Sequence, residues 1–131
     1  MSSVFTKIIN QELPCYKIYE NDLIISFLTI EPTQLGHSLI VPKKEIDHWL
    51  DVEEPYFSEI FKYSKVIGKA IQKATMAPRI GTEIQGWEVP HFHLHIIPMW
   101  RPSDLDLRNA KPRSKEEMEA IQTKIVSCLN S

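Results

Sequence analysis

Three shortages in the sequence exclude broad classes of protein. Only two cysteines occur among 131 residues, Cys15 and Cys128, so a fold held together by disulfides is not expected. No apolar run reaches the roughly twenty residues that a membrane-spanning helix needs, since the run at residues 23–30 is broken by Ser26 and Thr29. The net charge is −2, without the clustered lysine and arginine of a nucleic-acid-binding face.

These shortages together predict a reduced, cytoplasmic protein that has neither a membrane nor a nucleic-acid partner. Residues 1–7 lack the apolar segment of a secretory signal, which favours the same location. The length allows one hydrophobic core, and we expect a single domain over residues 1–131. The content of 43% hydrophobic and 24% charged residues is typical of a soluble globular domain.

Hydrophobic periodicity predicts a mixed α+β fold. Five short apolar runs favour strands, the first two of them joined as a hairpin: residues 16–19, 23–30, 37–41, 80–85 and 92–97. A short helix or turn is expected at residues 4–10. The order of strands, a long helix, further strands and a last helix is that of an α+β layer arrangement.

Two helices are predicted from capping signals and apolar spacing. Asp51 with Glu54 resembles a capping box for a long helix that ends near residue 77. Its apolar face is expected to contain eight residues: Phe57, Ile60, Phe61, Ser64, Ile67, Gly68, Ile71 and Ala74. Ser114 with Glu117 resembles a second capping box. The helix that follows it is expected to bury Met118, Ile121, Ile125 and Leu129.

The most informative segment is the run His91-Phe92-His93-Leu94-His95. Side chains alternate between the two faces of a strand, so the three imidazoles would share one face. Phe92, Leu94 and Ile96 would pack on the core from the other face. Scattered histidines are usually surface or hydrogen-bonded core residues, but three of the chain's five on one strand face favour a functional site.

Spacing alone leaves two chemistries open for these histidines. Paired imidazoles on a strand are a common way to bind zinc, which would need a further ligand such as His37 or His48. Alternatively, a neutral imidazole attacks a phosphate when an acceptor holds its other nitrogen, and a second imidazole protonates the leaving group.

The longer context resembles the histidine triad (HIT) family. The run Val89-Pro90-His91-Phe92-His93-Leu94-His95-Ile96-Ile97-Pro98 is similar to the family's signature of three histidines separated by hydrophobic residues. Residues 5–14 resemble the family's N-terminal segment, and residues 27–32 with 36–43 resemble its middle block. The three blocks lie in the family's order and are similar to its bacterial nucleotide-binding and hydrolase branch.

The resemblance implies a homodimer of HIT-like α+β protomers, each with an antiparallel sheet, a long helix and a C-terminal helix. It also implies hydrolysis or transfer of a purine nucleoside monophosphate from a phosphoramidate, mixed anhydride or dinucleoside polyphosphate, with no metal or other cofactor. His93 would be the nucleophile, and His95 would contact the leaving-group side of the phosphate. His91 and His37 would complete the histidine cluster.

The resemblance further implies a nucleotide pocket. Its residues carry over to seven positions: Phe5, Ile8, Phe27, Thr29, Ile30, Glu88 and Val89. Apolar side chains suit a base held between hydrophobic walls. Without the resemblance, the four Phe and Ile residues would be interpreted as ordinary core.

Two departures from the family pattern affect what this chain would bind, one at the ribose and one at a zinc site. Thr29 stands where many members have an aspartate that contacts the ribose hydroxyls, so ribose binding should be weaker or the sugar specificity different. Ser3 and Thr6 replace a Cys-x-x-Cys zinc pair of some bacterial members, and Glu45 replaces a histidine that often follows the lysines. Structural zinc is therefore not expected.

Glu88 is a third departure, because many members have a serine or threonine there, near the phosphate. A carboxylate would repel a phosphate by about 1 to 4 kcal/mol at 4 Å. Glu88 would therefore turn away and leave the phosphate to backbone N–H groups, or face a cationic leaving group such as an amine. Trp87 beside it would cover the pocket or, as we expect, pack at the dimer surface.

Two rival functions and one segment stay open at this point. The changes at Thr29 and Glu88 are compatible with a module that binds nucleotides without turning them over, although the complete triad with His37 favours an enzyme. A metal-dependent hydrolase on an unrelated fold is the other rival. Residues 101–113 would either shape the pocket or wrap a partner subunit.

Overall fold

The computed structural model describes residues 2–129 and confirms the predicted α+β fold. The strands are β1 (Lys17–Glu20), β2 (Ile24–Leu28), β3 (Ser38–Pro42), β4 (Arg79–Glu83) and β5 (Leu94–Met99). The α-helices are α1 (Val4–Ile9), α2 (Tyr56–Thr75) and α3 (Lys115–Cys128). Short 3₁₀ helices occupy Trp49–Asp51, Pro102–Leu105 and Leu107–Asn109.

The strands form one antiparallel sheet in the order β1-β2-β3-β5-β4, and the predicted hairpin of β1 and β2 is confirmed. Phe27 pairs with Leu39, and Leu39 pairs with His95, so these three side chains form a row across the sheet. Phe5 of α1 packs on the same face. The register therefore brings the N-terminal helix next to a triad histidine.

The opposite face of the sheet packs on α2 and α3 and carries the main hydrophobic core. Ile40, Ile96 and Ile71 are completely buried there, and Phe92 and Leu94 join them as the alternation predicted. The capping box of Ser114 and Glu117 forms at the start of α3.

The predicted start of the long helix was wrong. Asp51 ends a 3₁₀ turn, and the Glu54 side chain accepts hydrogen bonds from the backbone and hydroxyl of Ser58 instead of capping with Asp51. The helix begins at Tyr56. A residue that precedes proline is disfavoured in the helical conformation, and Pro55 places Glu54 in that position.

Part of the predicted apolar face of α2 is also exposed. Phe57 and Phe61 keep 37% and 39% of their surface accessible, with their ring centroids 5.0 Å apart. At about 100° per residue, both lie on one flank of the stripe centred on Ile60 and Ile67. Periodicity placed them near the buried face but could not give the width of the surface that the sheet covers.

β5 begins two residues later than predicted, at Leu94. The backbone N–H of His91 donates to Val89 and that of Phe92 to Ile46, so both precede the strand. Cys15 packs with the hydrophobic residues around Phe5, and Cys128 packs with the main core on the other face, so the sheet lies between the two thiols. No helix within residues 2–129 is both long and apolar enough to cross a membrane.

Candidate active site

The backbone orients the imidazole of His93. Its Nδ1 lies 2.8 Å from the carbonyl oxygen of His91. A carbonyl oxygen only accepts hydrogen bonds, so Nδ1 carries the proton and Nε2 keeps a lone pair. Burial lowers the pKa of His93, against smaller raising effects from the His91 carbonyl and the Glu88 carboxylate. His93 is therefore a neutral imidazole at neutral pH, in the form that a nucleophile requires.

His37 and His95 form a chain of neutral imidazoles. The Thr33 backbone N–H donates to Nδ1 of His37 at 3.1 Å, so the proton of His37 lies on Nε2. Nε2 of His37 lies 2.9 Å from Nδ1 of His95 and donates to it. The remaining proton of His95 is consequently on its Nε2.

Burial reinforces this protonation state. It lowers the pKa of His37 to about 3 and that of His95 to about 4, and a neighbouring histidine adds a smaller lowering effect in each case. A further proton on either imidazole would also place two N–H donors opposite each other, at the Thr33–His37 hydrogen bond or at the His37–His95 hydrogen bond. His95 therefore offers a hydrogen-bond donor rather than a readily formed cation.

His91 lies behind the cavity rather than in it. Its side chain is fully buried, with Nε2 2.8 Å from the carbonyl oxygen of Pro42 and Nδ1 2.8 Å from the hydroxyl of Ser3. Nε2 donates to the carbonyl, so Nδ1 accepts from Ser3. With both ring nitrogens held, His91 fixes the carbonyl that orients His93.

His91 and its partners form a second layer of residues behind the cavity, and a carboxylate completes it. Glu45 Oε1 accepts from the backbone N–H of Ser3 and from the hydroxyl of Thr6, both at 2.7 Å. The hydrogen bond from Ser3 and, to a smaller extent, the one from Thr6 lower the pKa of Glu45. The three positions at which the sequence departs from a zinc pattern thus gather beside His91. Within residues 2–129, no group of three or more His, Cys, Asp or Glu side chains is placed to hold a metal ion.

His93 and His95 border a cavity of about 350 Å³ that opens to solvent. It brings together His37, His93 and His95 with six of the seven predicted nucleotide-pocket residues: Phe5, Ile8, Thr29, Ile30, Glu88 and Val89. Phe27 does not line it. Phe27 is 3% exposed and supports Phe5 from behind, at a centroid distance of 5.5 Å.

The cavity walls are mainly apolar. The ring of Phe5 meets that of His93 edge-on, with the two ring centroids 5.0 Å apart, so this wall of the cavity lies directly beside the triad. Ile30 is 74% exposed and stands at the opening. An apolar slot with few polar side chains suits a flat base.

Five further lining residues were not predicted: Val4, Glu31, Leu39, Leu107 and Ala110. Leu39 could have been found, because it lies two positions after His37 and shares its side of the chain. Leu107 and Ala110 follow no pattern that marks them in the sequence. They belong to residues 101–113, so this segment shapes the cavity.

Glu88 and Trp87 take different positions beside His93. Glu88 lines the main cavity, which favours the alternative in which it faces the leaving group over the one in which it turns away. Trp87 is 88% exposed and lines a separate hollow of about 180 Å³ with His48 and Trp49. His93 borders both spaces.

Comparison with known families decides what kind of protein this is. The family model described as the HIT domain matches residues 10–101, more than half of the chain. The chain belongs to the HIT family. Its triad, its sheet and its two large helices are thus those of a HIT protein, as the sequence predicted.

Similar HIT proteins extend the match to almost the whole chain. The adenosine 5′-monophosphoramidase hnt1 of Schizosaccharomyces pombe is 32% identical over 97% of this chain and 98% of its own. The adenylylsulfatase HINT3 of Arabidopsis thaliana is 34% identical over 96% of this chain and 66% of its own. A crystal structure of a HIT-like protein involved in cell-cycle regulation from Bartonella henselae is 30% identical, with a TM-score of 0.85 over 97% of this chain and 96% of its own.

Proposed function

We propose that this HIT protein cleaves nucleoside 5′-phosphoramidates, or related nucleotidyl conjugates, through a covalent nucleotidyl-histidine on His93. The observation that carries the proposal is the 2.8 Å contact between His93 Nδ1 and the His91 carbonyl, because it leaves Nε2 unprotonated. The activities named for the relatives from S. pombe and A. thaliana support the same class of substrate.

The reaction takes two steps. The Nε2 lone pair of His93 forms a bond to phosphorus while the bond to the leaving nitrogen breaks, and that nitrogen takes a proton from solvent. Water then attacks phosphorus, the bond to Nε2 returns its electrons to His93, and the proton of the water passes to solvent. His95 lies on the leaving-group side, where its Nε2–H donates to a phosphoryl oxygen and stabilises the charge that develops.

The remaining cavity residues hold the nucleotide. Phe5, Ile8 and Ile30 enclose a purine base, while Val89 lies nearer the phosphate. Thr29 offers one hydroxyl to the ribose, a weaker contact than a carboxylate gives to both hydroxyls. Phe27, His37 and His91 act indirectly, since they support the wall or hold a ring that contacts substrate.

Turnover of adenosine 5′-phosphoramidate in the presence of chelator tests the proposal. The wild-type protein should hydrolyse this substrate and, after rapid acid quench, show a nucleotidyl adduct by mass spectrometry. His93→Ala should lose both, whereas His48→Ala, a change to an exposed histidine outside the main cavity, should keep them. Binding without turnover or adduct would overturn the proposal in favour of a nucleotide-binding module, and loss of activity with chelator would favour a metal-dependent hydrolase.

We also propose that the protein is a homodimer. Phe57 and Phe61 form an exposed aromatic pair on α2, and β4 stands last in the strand order of the described sheet, so each offers a surface that a second copy would cover. Sedimentation should give a dimer, and Phe61→Glu should shift it toward monomer. A monomeric wild type would overturn the proposal.

A further inference from the structure

The main cavity is acidic although its proposed substrate is an anion. Among the described residues that line it, two are carboxylates, Glu31 and Glu88, and none is lysine or arginine. Protein sites for phosphate usually supply arginine, lysine or a helix terminus. A substrate with several negative charges, such as a polyphosphate, would enter against this field.

The two carboxylates differ in their position relative to the reacting group. Glu88 lies three residues before His91, whose carbonyl orients His93. Its charge acts on His93, where it opposes part of the pKa lowering that burial causes. Glu31 follows Thr29 and Ile30, at the proposed nucleoside end. Glu88 therefore stands at the reacting end of the cavity.

Glu88 is also available to a ligand. Its side chain is exposed, and within residues 2–129 it forms no hydrogen bond or ion pair. Glu88 lies in the loop between β4 and β5, two residues after Gly86, whose φ of +87° is a turn conformation that glycine adopts easily. Its carboxylate can thus pair with a group on the substrate without breaking any contact.

We propose that Glu88 makes the site selective for a positively charged leaving group: a nucleoside 5′-phosphoramidate of an amine that carries a second, protonated amino group. This inference rests on the proposed function and adds the charge of the leaving group to it. The bonds made and broken are those of the two steps above. The ammonium pairs with Glu88 while the phosphate, with its single negative charge, lies against His93 and His95. A polyphosphate leaving group would instead meet the carboxylate with like charge.

A pair of conjugates that differ by one charge tests this. Adenosine 5′-phosphoramidates of 1,5-diaminopentane and of pentylamine have leaving groups of similar length, and only the first carries an ammonium. Wild type should have the higher kcat/KM for the diamine conjugate. Glu88→Gln should reduce the ratio of the two kcat/KM values by about twofold to fivefold, the upper part of the range for one exposed charge pair. High salt should reduce the wild-type ratio in the same direction.

Glu31→Gln is the matched control, since it removes the same charge from the same cavity, and its ratio should stay that of wild type. Glu88→Lys should reverse the preference and favour diadenosine tetraphosphate over the diamine conjugate. Turnover of both amine conjugates with a ratio that Glu88→Gln leaves unchanged, or that Glu31→Gln lowers equally, would overturn this inference alone. Absence of turnover with either conjugate would overturn the proposed function together with it.

Discussion

The two faces of the sheet differ in how their side chains are held. On the helix-covered face, Leu94 and Ile96 pack among aliphatic side chains of α2 and α3, where dispersion and burial act. On the other face, His95 is held by one directed hydrogen bond from His37 and borders an open cavity. Neighbouring residues of one strand thus serve stability and chemistry separately, and mutation should separate the two effects.

The largest effects should come from the adjacent pair His95 and Ile96. His95→Ala should lower kcat by about 10²- to 10³-fold, because a donor to the developing phosphoryl charge is lost. Ile96→Ala should lower the free energy of unfolding by about 2–5 kcal/mol, because it leaves a cavity in the main core. Steady-state kinetics and urea denaturation of both variants measure the two effects.

The comparison of the two faces predicts that each substitution lowers one quantity, kcat or the free energy of unfolding, and leaves the other nearly unchanged. The folded fraction of Ile96→Ala should keep a kcat within a few-fold of wild type, and His95→Ala should unfold near the wild-type urea midpoint. If Ile96→Ala lost activity as completely as His95→Ala, stability and chemistry would not be divided between the faces.

The next effect concerns pH and arises only on the histidine face. His37 and His95 have pKa values of about 3 and about 4 in the folded protein, against the ordinary 6.5. Between those values the unfolded chain binds more protons, so the free energy of unfolding falls as pH decreases below 6.5. From pH 7.5 to pH 5, the loss should be about 2 kcal/mol for each histidine that stays neutral.

Urea denaturation at the two pH values measures this loss. His37→Gln removes one titrating group and should show a smaller decrease than wild type over the same interval. An equal decrease in both proteins would mean that the neutral chain from Thr33 to His95 is not what acid disrupts.

A smaller effect should follow from the second layer behind His93. Ser3→Ala leaves Nδ1 of the buried His91 without its donor, at a cost of about 1–3 kcal/mol in unfolding free energy. Because His91 holds the carbonyl that orients His93, kcat should fall by about tenfold while KM changes little. Ser127→Ala, at an exposed position on α3, should change neither quantity. A Ser3→Ala enzyme with unchanged kcat would show that His91 keeps its position without Ser3.

The sequence predicted those parts of the molecule that depend on local periodicity and short motifs. Alternation gave the faces of Phe92, Leu94 and Ile96, and the motif brought the three histidines to attention. The hydrogen bonds of His91 with Ser3 and Pro42 could not be predicted, because they join residues far apart in the chain. The same holds for Leu107 and Ala110, whose place in the cavity depends on how the segment after β5 folds back.

The smallest effect tests the departure at Thr29, on the cavity side of the sheet. A carboxylate can accept hydrogen bonds from both ribose hydroxyls, whereas the single hydroxyl of Thr29 cannot serve both equally. Thr29→Asp should therefore lower KM for an adenosine 5′-phosphoramidate by about threefold to tenfold, the contribution of roughly one net hydrogen bond. The 2′-deoxy substrate offers one hydroxyl fewer and should gain less from the substitution. Equal changes in KM for both sugars would show that position 29 acts on the cavity's charge and not on the ribose.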